Sequence, residues 1–197
     1  IGKTFRICVP ATDAPHRSCC AVATNARPLR PASRKRNASM KKNVSECIAI
    51  YQERLQTGEM QIAYKALVRF VMSLRRQFSR IDGYKVRNVS PGYLDYTYFA
   101  FSDDFLRSRE LRYGIILNHR NMRFELWLMG QNEATQKAYW NLLKDTEWNE
   151  GVEDMPHYSV LETVLVDDPD FSDLPALSDR IEQSALRIID GIRPYIA

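Results

Sequence analysis

The stretch LRYGIILNHRNMRFELWLMG, residues 111–130, decides the fold. Two largely apolar runs, 111–117 and 122–129, flank the tetrad Asn118-His119-Arg120-Asn121. Aromatic and branched residues crowd both runs, and a short polar break between them is turn chemistry, so the spacing predicts an antiparallel hairpin. With Arg120-Asn121 as the central turn residues, Leu117 faces Phe124, Ile115 faces Leu126 and Tyr113 faces Leu128. These six share one face, because successive side chains on a strand point to opposite sides. The other face carries Arg112, Gly114, Ile116 and Asn118 against Met129, Trp127, Glu125 and Arg123. One apolar and one mixed face is the pattern of an antiparallel sheet with a single fully buried side. His119 falls in the turn, so its replacement is expected to cost little, whereas Phe124→Ala or Leu126→Ala is expected to cost roughly 2–5 kcal/mol.

Working outward, YLDYTYFAF (93–101) precedes the hairpin and reads as a strand, with Ser90-Pro91-Gly92 as the turn leading into it. Residues 84–90 are a candidate short edge strand, and Ser102 to Glu110 a polar connection. After Gly130, Asn132 is placed to cap a helix from Glu133 to about Lys144, with Ala138, Tyr139 and Leu142 on its inner face. Residues 158–166 read as another strand, ended by Asp167-Asp168-Pro169-Asp170. Asp173 then caps a last helix with the stripe Leu177, Ile181, Ala185, Ile188, Ile189 and Ile192.

At the other end, residues 43–57 show Cys47, Ile48, Tyr51 and Leu55 at helical spacing, with Ser45 as the expected cap. Gly58 breaks the run, and a second helix follows from Glu59 to Phe78. The order α-α-β-β-β-α-β-α gives an α+β fold: a largely antiparallel sheet of four or five strands packed against helices.

Charge and cysteine divide the chain of 197 residues at the same place. The net charge is +4, but eight of the 28 basic residues and one of the 24 acidic ones lie in 1–39. That segment therefore carries +7, and the remaining 20 basic and 23 acidic residues give the rest −3. The body offers no general surface for a polyanion, so a nucleic-acid partner is not expected. Cys8, Cys19 and Cys20 lie in the leader and Cys47 alone in the body, which reads as a protein of a reducing, cytoplasmic compartment. Cys47, on an apolar stripe, is expected as a buried thiol. No apolar run approaches bilayer length. Residues 1–39, rich in Pro, Ala, Ser and Arg, show no periodicity and are expected to be a disordered basic leader. The favoured reading starts native translation at Met40, leaving 40–197 as one domain; a targeting segment and a basic arm are the alternatives.

The segments LQTGEMQIAYKALVRFVMSLR (55–75), YLDYTYF (93–99), RFELWLMGQN (123–132), KAYWNLL (137–143) and LVDDPDFSDLPAL (165–177) resemble a small uncharacterised bacterial domain family. The resemblance covers residues 40–197 and implies Met40 as the start. It implies no activity and assigns no residue a role.

Chemistry-bearing motifs are sparse. Zinc needs three or four converging ligands, and His119, His157 and Cys47 form no close set, so no metal is expected. Asp167 to Asp173 lacks the Gly and closing Glu of a calcium loop. No glycine-rich phosphate loop and no nucleophile elbow occurs, so no cofactor is expected. Asp95 and Glu125 lie in strand candidates that could be neighbours, a pair able to hold magnesium in a nuclease-like or hydrolase site with Lys85 or Lys137 and His119 assisting. The competing role for Glu125 is an ion pair with Arg112 or Arg123. The mixed face around Arg112, Arg123, Glu125 and Trp127 is the best candidate surface for an unknown small molecule or protein, unless a helix covers it. Three functions stand open: a non-catalytic binding or accessory domain; the small metal-dependent enzyme using Asp95 and Glu125; and a structural homodimer joined through Tyr96, Tyr98 and Trp127.

Overall fold

In the computed structural model, which describes residues 43–197, the hairpin forms the centre of a five-stranded antiparallel sheet. Strands β1 (Lys85–Val86), β2 (Tyr96–Ser102), β3 (Leu111–Asn118), β4 (Arg123–Gly130) and β5 (Leu161–Val166) lie side by side in chain order. The β3–β4 register places Leu117 opposite Phe124, Ile115 opposite Leu126 and Tyr113 opposite Leu128, as the alternation required. The turn is a four-residue one, closed by the pair Asn118 and Arg123, with Asn118 Oδ1 accepting from Asn121 N at 3.1 Å.

Helices α1 (Val44–Gln56) and α2 (Glu59–Phe78) precede the sheet, α3 (Asp104–Ser108) joins β2 to β3, α4 (Glu133–Leu143) joins β4 to β5, and α5 (Leu174–Ile192) follows. Asn132 and Asp173 cap α4 and α5, as expected, each accepting from the amide three residues on. Asn43 caps α1, rather than Ser45. Its side chain accepts from Glu46 N at 2.9 Å, and the Glu46 carboxylate accepts from Asn43 N at 3.1 Å. The short helix α3 and the 3-10 turns Glu147–Asn149 and Arg193–Ile196 had no sequence signal, because one turn is too short to show a period.

The helices contribute one layer. Phe99, Phe101, Tyr113, Ile115, Leu117, Phe124, Leu126 and Leu128 form a continuous core with Phe70, Val71, Leu74 and Phe78 of α2, Leu143 of α4 and Leu177, Ile181, Ala185, Ile189 and Ile192 of α5. Phe78 packs edge-on against Phe99, with ring centres 5.4 Å apart.

Three burial expectations are corrected. The inner face of α4 is Gln136, Tyr139, Trp140 and Leu143, while Ala138 and Leu142 face outward. Cys47 is an exposed free thiol, because no residue of α1 is buried. His119 is half-buried. Its Nε2 lies 2.8 Å from Thr97 Oγ1, which donates to Pro91 O at 2.9 Å, leaving that oxygen to accept from the ring. Tyr64 of α2 packs its ring against the same imidazole and donates to Pro91 O at 2.7 Å. The turn histidine thus ties the β2 entry loop to α2. The reading of residues 1–39 lies outside the described residues. Among the described residues no helix is long and apolar enough to cross a membrane.

Candidate functional site

The mixed face of the sheet has no helix over it among the described residues. Ala100, Ile116, Trp127 and Met129 form a second, smaller cluster, with the half-buried Tyr96 and Tyr98 packed against them. Trp127 is only 5% exposed although no helix covers it. Its neighbours on the sheet bury it: Tyr96 meets it edge-on, ring centres 5.0 Å apart, and its Nε1 donates to Glu125 Oε2 at 2.8 Å.

Glu125 is the hub of a polar network beside that tryptophan. Its Oε1 accepts from Arg123 Nε at 2.5 Å and from Asn118 Nδ2 at 3.1 Å. Every partner sits at an i±2 or cross-strand position that the hairpin register brings to one face. The carboxylate is buried with its acceptors occupied, so its work is to hold the face together. Arg123 is the ion-pair partner, and Arg112 is not.

Asp95 and Glu125 do not meet. Asp95 lies in the turn before β2, not within the strand, and β3 separates β2 from β4. Tyr96 pairs with Asn118, and the strand row of Glu125 runs through Ile116 to Tyr98, so the two carboxylates are two strands and three residues apart, roughly 14 Å by strand geometry. Asp95 is also committed locally. Its Oδ1 accepts from Tyr93 N at 3.0 Å and Tyr96 N at 2.7 Å, and those amides hold its carboxyl below the ordinary range. Lys137 pairs with Glu133 at 2.6 Å on α4, and Lys85 sits on the edge strand. Among the described residues no three His, Cys, Asp or Glu side chains are grouped to hold a metal ion. The two-carboxylate reading is overturned by this geometry.

What the face does contain is a groove of about 280 Å³. Tyr96, Tyr98, Ile116, Trp127 and Met129 supply its floor and walls, Tyr93 and Tyr158 its rim, and Arg112 its cation. Two glycines allow close packing beside it. Gly114 pairs with Trp127 in the register, and a Cβ there would stand 2.7 Å from Met129 Cε. Gly92, at φ +67°, turns the chain so tightly that a Cβ would collide with Tyr96 O. The acid-rich end lies by Tyr96, whose phenol is pushed up by loss of solvent and by Glu162 and Glu125. The carboxyl of Glu162 is itself pushed up, first by loss of solvent, against the Ser159 hydroxyl that donates to it at 2.6 Å, and further by Glu125.

The structure thus gathers Asp95, Arg112 and Trp127 around one groove and places Arg123 and Glu125 in the network beside it. Tyr93 and Tyr158 were not legible as rim residues, because the sequence alternation runs both into strands, whereas the structure starts β2 at Tyr96 and β5 at Leu161 and leaves both tyrosines in the preceding loops. Tyr96, Tyr98 and Trp127 line or floor the groove in buried or half-buried positions, so they do not form a flat protruding interface for a second copy.

A single helical layer on one side of a five-stranded meander, with an aromatic groove on the other, defines the class: an α+β domain with an open sheet face. The chain belongs to the family described as a domain of unknown function, DUF7000, whose model matches residues 44–196. No curated protein and no solved structure matches it.

Proposed function

We propose that this chain is a non-catalytic binding domain whose groove holds a small, flat, singly anionic molecule. The observation that carries the reading is Arg112. It lines the groove, forms no ion pair among the described residues, and its Nε is shut off from water without a hydrogen-bond partner. An unsatisfied donor on a charged group costs about 1–3 kcal/mol, which a carboxylate or phosphate accepting from a slightly turned guanidinium relieves. The aromatic walls favour a planar apolar body, and the acids around Tyr96 disfavour a second negative charge on it. A groove of about 280 Å³ suits a single ring system and excludes a polymer. The exposed rim residue Tyr93 supports a second reading, a peptide side chain with an acidic tip as occupant. The single cysteine of the body supports a reducing, cytoplasmic setting.

Titration with benzoate, phenyl phosphate and indole-3-acetate, each against its neutral amide or alcohol, tests the proposal by calorimetry and Trp127 chemical shifts. The acids should bind and the neutral forms should not. Arg112→Gln should weaken the acids about tenfold or more, as loss of a charge-assisted hydrogen bond requires, with unchanged folding. Equal binding of acid and amide, or shifts confined to residues outside the groove, would overturn it.

A further inference from the structure

The helix pair at the start of the described residues carries an apolar surface that nothing among the described residues covers. Val44, Ile48, Tyr51 and Leu55 step along α1 at intervals of four, three and four residues, which is one stripe of a helix. The first three are 75%, 59% and 57% exposed, and no residue of α1 is buried. Across the Thr57-Gly58 turn the start of α2 is also exposed, Met60 at 51% and Ile62 at 71%, on sides of the helix about 200° apart, so one of the two extends the surface. Yet α1 is built as a well-finished helix. The Asn43–Glu46 capping box closes its first turn, and Gln61 Nε2 donates to Leu55 O at 3.0 Å at its last. Helices of 13 residues are marginal in water without packing, and caps contribute only about 1 kcal/mol each. A finished helix with a periodic apolar stripe and no burial is a helix whose packing partner lies outside the fold.

We infer that this stripe is the interface between two copies of the chain, joined α1 to α1 about a two-fold axis with the first turn of α2 alongside. Three observations select a second copy. The exposed apolar area is on the order of 500 Å² per copy, and two such surfaces together reach about 1,000 Å², the lower bound for a specific interface. Helix α1 carries Glu46, Glu53 and Arg54, close to neutral, so it neither repels its own copy nor offers a handle to a strongly charged partner. Residues 1–39, with four prolines and a charge of +7, supply no periodic apolar face to lie on the stripe. An isologous contact needs only one surface, complementary to itself.

Sedimentation velocity on the full chain from about 1 to 100 μM, a range set by the micromolar affinity of a minimal interface, tests this. The wild type should pass from monomer to dimer across that range. Ile48→Glu and Tyr51→Glu should remain monomeric at the top of it, and Leu142→Glu, an equally exposed apolar position on α4, should dimerise as the wild type does. Hydrogen exchange supplies a readout independent of the variants: α1 amides should gain protection as concentration rises. A monomer throughout, a dimer that survives both α1 substitutions, or α1 amides protected equally at every dilution would each overturn the inference. The last result would mean that the chain covers its own stripe.

Discussion

The two faces of β4 bury neighbouring residues by different physics. Phe124 and Leu126 point into the helix-covered core and pack among its apolar side chains. Glu125 and Trp127, one residue along in each case, point to the open face and are nearly as buried, but through a carboxylate that accepts from an indole, a guanidinium and an amide. The first face is held by area, which is non-directional and tolerant of small shifts. The second is held by geometry, which fails once one partner is lost but leaves the surface open. A sheet face without helices keeps a groove only if something other than a packed layer fixes its side chains.

The sharpest way to break this comparison is to truncate one residue from each face. Phe124→Ala should cost about 3–5 kcal/mol, since the ring meets Phe70 edge-on and Phe171 beside it and leaves a cavity that neither can fill. Denaturant midpoints at constant slope measure it. Glu125→Ala should cost about 2–3 kcal/mol, below the range for a fully buried pair, because Arg123 is one-third exposed and finds water instead. The distinguishing step is the isosteric swap. Glu125→Gln keeps an acceptor for Trp127 and should restore most of the loss, whereas Phe124→Leu should recover only part of its own. If Glu125→Gln were as damaging as Glu125→Ala, the network would owe its strength to charge rather than to hydrogen bonding.

A smaller effect separates the faces by pH. Burial lowers the pKa of His119, on the helix side, with Asp95 opposing weakly. A depressed histidine leaves the unfolded chain holding more protons below its ordinary value near 6.5, so its contribution is complete above that pH and is lost as pH falls through the folded pKa. Glu162, on the open side, has a raised pKa. The folded chain then holds the extra proton, and stability declines as pH rises through the window above the ordinary glutamate value. Below the ordinary histidine value and above the ordinary glutamate value the two slopes have opposite signs. His119→Gln should cost about 1 kcal/mol at pH 7.5, for the bond to Thr97, and should remove the acid-side loss. Glu162→Gln should steepen it. A denaturation midpoint unchanged in pH dependence by either substitution would remove both groups from the account.

How much of this was legible in the sequence follows from the range of each interaction. The hairpin register was, because a single polar break between two alternating runs leaves one pairing that puts every large apolar residue on one side. The caps Asn132 and Asp173 were, because a cap acts within three residues. Asp95 was misplaced into the strand because YLDYTYF alternates well enough. Only the left-handed backbone at Gly92 and Leu94 shows that a turn occupies its first three positions. His119 was misread for the opposite reason: its partners Thr97 and Tyr64 are distant in sequence, and no local rule reports them. The groove was half legible. Its wall on β3 and β4 followed from the register, while its rim depended on two loops.

Helix α4 offers the finest cut. The sequence reading places Leu142 on its inner face, one residue and about 100° of helix rotation from Leu143. The structure assigns the core to Leu143, fully buried, and solvent to Leu142, which is 54% exposed. What settles the rotation is the capped end. With Asn132 as the cap, Gln136 falls against Gly130, where a Cβ would stand 2.7 Å from Gln136 N, and its side chain donates to His157 O at 3.2 Å. Residues 139, 140 and 143 then follow on the same side, three, four and seven positions on. Leu143→Ala should therefore cost about 2–5 kcal/mol, while Leu142→Gln should stay within about 0.5 kcal/mol of the wild type. A thermal melt of the two single variants is enough to measure the gap. A larger loss for Leu142 would mean that α4 is rotated by a quarter turn, and that its apolar stripe, read from the sequence alone, had been right.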